Sequence, residues 1–286
     1  MEQVVYGSEL SKEYRLKMKE EIDALRIEGK RIPKLAVVLV GNNPASLSYV
    51  TGKKKACANI GMESLVEVMS EDTTMDELLN KIDTFNKDQT IDGILVQLPL
   101  PKHLDETKAI LAIDPSKDVD GLHPLNIGKF YSGLNCMVPC TPLGVMELLK
   151  RMDCKIEGKR AVVLGRSKLV GTPVARLLQN ENATVTVCHS RTKDLKEVCK
   201  EADIVVAAIG QPKMIDHTYI KDGAYVIDVG IHRMDNGKLC GDVDFDDVYE
   251  HTTKITPVPK GVGPMTICML LANTMKAYKE REANHD

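Results

Sequence analysis

Val162-Val163-Leu164-Gly165-Arg166-Ser167-Lys168-Leu169-Val170-Gly171-Thr172-Pro173 is the stretch that decides the fold. A short apolar run reaches a glycine turn, and Gly-Thr-Pro then opens a helical pattern, as when a buried parallel strand hands over to a helix. Such a junction suits a dinucleotide, whose pyrophosphate rests on the N–H groups at the helix start. The spacing is not G-x-G-x-x-G, because Ser167 and Val170 hold the second and third glycine positions. A plain strand-to-helix turn is the alternative on spacing alone.

The end of the following strand favours the nucleotide. A domain built for NAD usually offers a carboxylate about 20 residues on, which accepts from the ribose 2′-OH. Here the place reads Cys188-His189-Ser190-Arg191-Thr192. A hydroxyl beside a guanidinium suits a 2′-phosphate, and Arg166 can add a second cation, so the expected cofactor is NADP.

Outward from this junction the alternation continues. Strands are expected at 184–188, 204–208 and 225–229, with helical segments near 170–179 and 194–200. Upstream, Leu10, Tyr14, Met18, Ile22 and Leu25 make a helical stripe over 8–28, and 35–40 is a continuous apolar strand. A helix opens at Asn43-Pro44 and runs to about 60; strand 65–69, helix 74–85 and strand 93–96 follow. This second series is again βαβαβ. Turn residues crowd 114–142, where the domain junction is placed, and a Met-, Leu- and Ala-rich helix closes the chain over 263–281. The expected fold is α/β: two doubly wound domains with a cleft between them, the second a Rossmann-type NADP-binding domain. The boundaries are 1–138 and 139–263, with a final helix at about 264–286.

Composition excludes several other classes. The 286 residues carry 38 Lys+Arg against 41 Asp+Glu, a formal charge of −3, and only 8 Tyr and 3 Phe with no Trp. That is neither a basic footprint nor a supply of stacking rings, so nucleic acid is not an expected partner. No apolar run approaches the roughly 20 residues of a membrane span, and the first residues do not read as a signal peptide. The reading is a cytoplasmic protein without a membrane partner. Eight cysteines form no C-x-x-C pair or His/Cys cluster, so they are read as reduced, packed thiols and no metal is assigned. Gly241-Asp242-Val243-Asp244-Phe245-Asp246-Asp247 begins like a calcium loop, but Asp247 and Thr253 stand where Gly and Glu are required.

Tyr49 and Lys53 lie four apart on one expected helix and share a face. A Tyr-x-x-x-Lys pair is known from short-chain dehydrogenases, but there it follows the nucleotide loop, and here it precedes it. A solvated helix face, given Lys53-Lys54-Lys55, is the alternative. Gln97 ends an apolar strand before Pro99 and Pro101, and Asp120 lies in the interdomain stretch; each could equally be a turn former.

Taken together, these segments resemble the bifunctional methylenetetrahydrofolate dehydrogenase/methenyltetrahydrofolate cyclohydrolase family over nearly the whole chain. Asn43-Pro44-Ala45-Ser46 through Tyr49-Val50 to Lys53 matches its signatures, as do 93–101, 118–124, 139–144 and 165–173. Gly210-Gln211-Pro212, Asp228-Val229-Gly230-Ile231 and 257–266 complete the set in the family's order. The resemblance implies a folate site containing Tyr49, Lys53, Gln97 and Asp120, with Val96 and Leu98 beside Gln97. It implies an NADP site containing Gly165, Arg166, Ser167, Ser190 and Ile231, with Arg191 next to it. Pro259, Lys260, Gly261, Val262 and Gly263 would border the substrate. A homodimer formed through the nucleotide domains, and a final helix packed on the first domain, are also implied. Two positions depart from the family: Lys260 replaces the first glycine of Pro-Gly-Gly-Val-Gly-Pro, and His232 stands where Asn is common.

The reactions implied are oxidation of 5,10-methylenetetrahydrofolate by NADP and hydrolysis of the methenyl cation to 10-formyltetrahydrofolate. Hydride transfer needs alignment above all. Hydrolysis needs a proton acceptor, and Lys53 can serve if burial lowers its pKa. Gln97 can hold the lysine or the water, Asp120 can accept from paired N–H donors on the pterin edge, and Tyr49 can stack on the folate. A dehydrogenase without hydrolase activity, or a nucleotide-binding regulatory protein with an inactive folate site, would use the same framework.

Overall fold

A computed structural model describes residues 3–283. The chain forms two compact units. The first comprises Glu13–Cys140 and the chain from Ile267 on; the second comprises Thr141–Thr266 and the N-terminal residues through Lys12.

After helix α1 (Gly7–Ile27), the first unit builds β1 (Lys34–Val40), α2 (Pro44–Ile60), β2 (Glu63–Met69), α3 (Met75–Lys87) and β3 (Gly93–Val96). The strands pair in parallel in the order β2-β1-β3. β1 is central because six of its seven residues are buried. Thr74 starts α3 with a capping box to Glu77, and the helix lays Leu78, Ile82 and Phe85 on the sheet. Beyond β3, Asp118 forms a parallel bridge with Ile94, which brings Asp120 to the same sheet end as Gln97. The turn-rich stretch holds short helices, α4 (Glu106–Ala112) and α5 (Pro124–Tyr131), before α6 (Cys140–Arg151). Two turns of helix give too little periodicity to register in sequence; their caps, Asp105 and His123, are the surviving signals.

The second unit contains β4 (Arg160–Leu164), α7 (Gly171–Asn180), β5 (Thr184–Cys188), α8 (Leu195–Lys200), β6 (Ile204–Ala207) and β7 (Ala224–Asp228). A hairpin of β8 (His232–Arg233) and β9 (Leu239–Cys240) follows, then α9 (Phe245–Val248), β10 (Thr252–Ile255) and the long α10 (Val262–Glu282), which belongs to the first unit from Ile267 on. Five strands pair in parallel in the order β10-β7-β6-β4-β5. β10 was not expected, because Thr-Thr-Lys-Ile lacks an apolar run, yet Lys254 is buried with its amine 3.4 Å from Asp153. The N-terminal residues group with this unit rather than with 13–138 for a backbone reason: Val4 bridges Ile255, Val5 N–H donates to Ile255 O, and Ser8 N–H donates to Lys260 O.

All eight cysteines are free and buried. Among the described residues no helix is long and apolar enough to cross a membrane.

Candidate active site

In the first unit three of the expected site residues meet. Gln97 follows β3, and its backbone N–H donates to Val38 O, so the side chain leaves from the carboxyl end of the sheet. Lys53, on α2, donates from Nζ to Gln97 Oε1 at 2.9 Å. The Gln97 amide nitrogen donates to Leu98 O at 2.7 Å, which fixes the amide with its oxygen toward the lysine. Burial pulls the Lys53 pKa below the ordinary 10.5, while the charge of Asp120 works against that shift. Burial likewise pushes the Asp120 carboxyl up, with Lys53 pulling it back and Asp118 adding to the rise. An amine and a carboxyl that each resist ionisation can exchange a proton with a ligand at modest cost. Lys54 and Lys55 are exposed, unlike the half-buried Lys53. Tyr49, one helical turn before Lys53, is 51% exposed and offers an open ring face.

Asp120 has neighbours that sequence reasoning missed. The Cys140 thiol, at the start of α6, is fully buried beside it and donates to Val119 O at 3.3 Å. Asn273 of α10 donates to Val119 O at 2.8 Å and to Val138 O at 2.9 Å, clamping the segments on both sides. A buried cysteine and an isolated helical Asn carry no motif, so only the fold reveals them. Val96 is buried at the end of β3, with its side chain in the core cluster of the unit.

In the second unit the strand-to-helix turn is a cradle. Gly165 has φ 107°, and a Cβ there would lie 2.1 Å from Ala208 O. A Cβ on Gly171 would lie 2.1 Å from Gly165 O, so Gly171 performs the close-packing role that the G-x-G-x-x-G spacing assigns elsewhere. Ser167 Oγ accepts from the amides of Val170 at 3.2 Å and Gly171 at 3.4 Å, and its hydroxyl proton stays available to a phosphate oxygen. Gly165 N–H donates to Cys188 O, which ties this turn to the end of β5. Arg166, Ser167, Ser190 and Arg191 are all exposed around it. Backbone-close glycines, free cations and a missing carboxylate fit a phosphorylated dinucleotide.

Ile231 and the 259–263 loop, expected at cofactor and substrate respectively, line one cavity of 280 Å³ in this unit. A Cβ on Gly263 would be 3.4 Å from Ile231 Cδ1. Lys260 adopts φ 80°, a left-handed conformation that explains why glycine is usual at this position. Its carbonyl accepts from Ser8 N–H at 3.0 Å.

Parallel α/β units, one with a glycine turn that can cradle a dinucleotide and one with a half-buried amine held by an amide beside a carboxyl, define a dinucleotide-dependent enzyme. Comparison with known proteins narrows the class. Residues 5–120 match the tetrahydrofolate dehydrogenase/cyclohydrolase catalytic domain, and residues 139–282 match the NAD(P)-binding domain of the same name. The chain belongs to the tetrahydrofolate dehydrogenase/cyclohydrolase family, and it is an enzyme of that bifunctional type. It is 57% identical over 279 residues to the bifunctional protein FolD of Listeria innocua, covering 98% of each chain. The bifunctional FolD structure from Campylobacter jejuni superposes with a TM-score of 0.94 at 48% identity, covering 96% of this chain and 98% of that one. The Trypanosoma brucei dehydrogenase-cyclohydrolase, solved with NADP cofactor and inhibitor, gives 0.92 at 40% identity and 97% of each chain.

Proposed function

We propose that the chain oxidises 5,10-methylenetetrahydrofolate with NADP+ and hydrolyses the resulting methenyl cation to 10-formyltetrahydrofolate, with Lys53 as proton acceptor in the second step. The observation that carries this reading is the Lys53–Gln97 hydrogen bond, in which burial lowers the amine's pKa and the amide fixes its direction. NADP+, when bound, accepts the hydride. For the hydrolysis, water adds to the methenyl carbon and one proton leaves as the ring opens to the formyl group. Lys53 takes up that proton, and Gln97 keeps the amine aimed while it does so. Asp120 orients the pterin through paired N–H donors, and Tyr49 offers its ring to the folate plane. Arg191, Ser190 and Arg166 read the 2′-phosphate, and the amides around Ser167 hold the pyrophosphate. The 259–263 loop borders the substrate.

The same reading makes the protein a homodimer. β5 is a sheet-edge strand that stays largely exposed, Val187 at 38%, as expected of an edge that a second copy covers. Light scattering is expected to give twice the 31.6 kDa chain mass. Eight free thiols fit a reducing compartment, the cytoplasm.

The test is an absorbance assay starting from methylenetetrahydrofolate and NADP+. NADPH is expected to accumulate while methenyltetrahydrofolate rises and then decays. Methenyl product matching NADPH without decay would mean dehydrogenase activity alone. No NADPH would mean a nucleotide-binding protein with an inactive folate site.

A further inference from the structure

The nucleotide crevice of the second unit has a direction. The chain leaves β4 for β5 on one side and returns to β6 on the other, so the topological switch point lies between β4 and β6. The ribose with the 2′ substituent belongs at the end of β5, where Ser190 and Arg191 stand. The other half of a dinucleotide therefore falls over the ends of β6 and β7.

Two buried carboxylates organise the loops there. Asp242 is fully buried and accepts from three successive amides of the β6 loop: Ile209 at 2.7 Å, Gly210 at 3.1 Å and Gln211 at 2.8 Å. Asp228, the last residue of β7, accepts from the amides of Gly230, Asp242 and Val243. Glycines make room for both. A Cβ on Gly230 would come 2.5 Å from Asp242, and one on Gly241 would come 1.8 Å from Asp228 Oδ2. The segment that begins like a calcium loop thus spends its first carboxylate on backbone amides.

One side chain joins this cage. His232 donates from Nε2 to Asp242 Oδ1 at 2.8 Å, the one side-chain donor to Asp242 among the described residues. It directly follows Ile231 and pairs with Cys240 across the β8–β9 hairpin. The imidazole therefore fastens the β7 loop to the carboxylate that already holds the β6 loop, with Gln211 N–H and His232 Nε2 meeting on the same oxygen, Oδ1. Ile231, 47% exposed at the cavity, is pinned by Gly230 on one side and His232 on the other.

We propose that His232 is a positioning residue for the nicotinamide half of the dinucleotide, acting through Asp242. The inference rests on the NADP reading above. Without the ring, the β7 loop keeps the Val229 N–H bond to Ala207 O, the Gly230–Asp228 bond and a two-residue hairpin, and Ile231 loses the side-chain tie that follows it on the way to the hairpin.

Calorimetric titration with NADP+ and with adenosine 2′,5′-bisphosphate, which carries only the adenine half and the 2′-phosphate, tests this. His232→Leu is expected to weaken NADP+ about tenfold, the size of one charge-assisted hydrogen bond, and to leave the bisphosphate within about twofold. His232→Gln, whose amide nitrogen reaches the place of Nε2, is expected to restore most of the loss. The KM for NADP+ should rise with His232→Leu and return toward the wild-type value with His232→Gln. Unchanged NADP+ affinity in His232→Leu, equal weakening of both ligands, or no restoration by Gln would each overturn the assignment. Wild-type protein that binds neither ligand would instead overturn the NADP reading, and the positioning role with it.

Discussion

Each unit buries a charged centre, and the two are built in opposite ways. Lys53 has one side-chain acceptor, Gln97, and sits half-buried at the carboxyl end of a three-stranded sheet. Asp242 has four donors and no exposure, at the corresponding end of a five-stranded sheet. A buried charge with spare capacity is costly to keep charged and so is ready to exchange a proton. A saturated one fixes backbone. On the proposed reading, the first unit carries the proton chemistry and the second sets the geometry of the cofactor.

The largest effect that would break the comparison is at Lys53. Lys53→Gln keeps length and hydrogen bonding but loses the titratable amine, and methenyl hydrolysis is expected to fall by about 10²–10⁴-fold in stopped-flow assays. The same change at exposed Lys54 or Lys55 should leave the rate near wild type. At the saturated centre the loss should appear as stability. Asp242→Leu strands three adjacent amides and the His232 ring, an expected cost of about 3–5 kcal/mol in urea unfolding, with the amine in the other unit unaffected. A smaller and more selective effect is expected at the rim of the nucleotide crevice. Arg191→Leu should raise the KM for NADP+ by tenfold or more and barely move that for NAD+, since a charge-assisted phosphate contact is worth about 1.5–3 kcal/mol. Arg166→Leu and Ser190→Ala should act in the same direction.

Asp228 sharpens the contrast, because burial lifts its carboxyl to about 7 against the pull of three amide donors, with Asp242 adding to the rise. The folded state then holds a proton that the unfolded chain, near 3.9, releases. Stability from this group is full below about 4 and is lost as pH rises through about 7. Asp228→Asn should flatten the pH dependence of urea midpoints across that window. The smallest change is Lys260→Gly, which relieves a left-handed backbone at φ 80° and should add at most about 1 kcal/mol of stability. A loss of stability there would mean that the lysine side chain contributes more than its backbone costs.

The alternation of β-branched runs and helical stripes made the α/β framework legible in the sequence, because buried parallel strands leave continuous apolar segments. What stayed hidden lacked such runs. β10 is Thr-Thr-Lys-Ile, held by its place beside β7, and the short α4 and α5 declare themselves only through their caps. At the site, Lys53, Gln97 and Asp120 needed the family resemblance to stand out from a solvated helix face and two turn formers. Gly171 escaped because the glycine spacing differs, although the steric demand is the same. Asp242 looked like part of an imperfect calcium loop, since acidic residues in series read alike whether they face a cation or backbone amides. Asn273 lies far from Asp120 in sequence and acts on its surroundings through the carbonyls of Val119 and Val138 and the Cys140 thiol.

The central claim is that the Lys53 amine is tuned for proton transfer by its surroundings. The most direct measurement is an NMR titration of protein labelled at lysine Cε, with the Lys53 signal assigned by its disappearance in Lys53→Gln. The Lys53 midpoint is expected below the ordinary 10.5, moving when Gln97→Leu removes the acceptor. A Lys53 midpoint at or above 10.5, indifferent to Gln97, would contradict it.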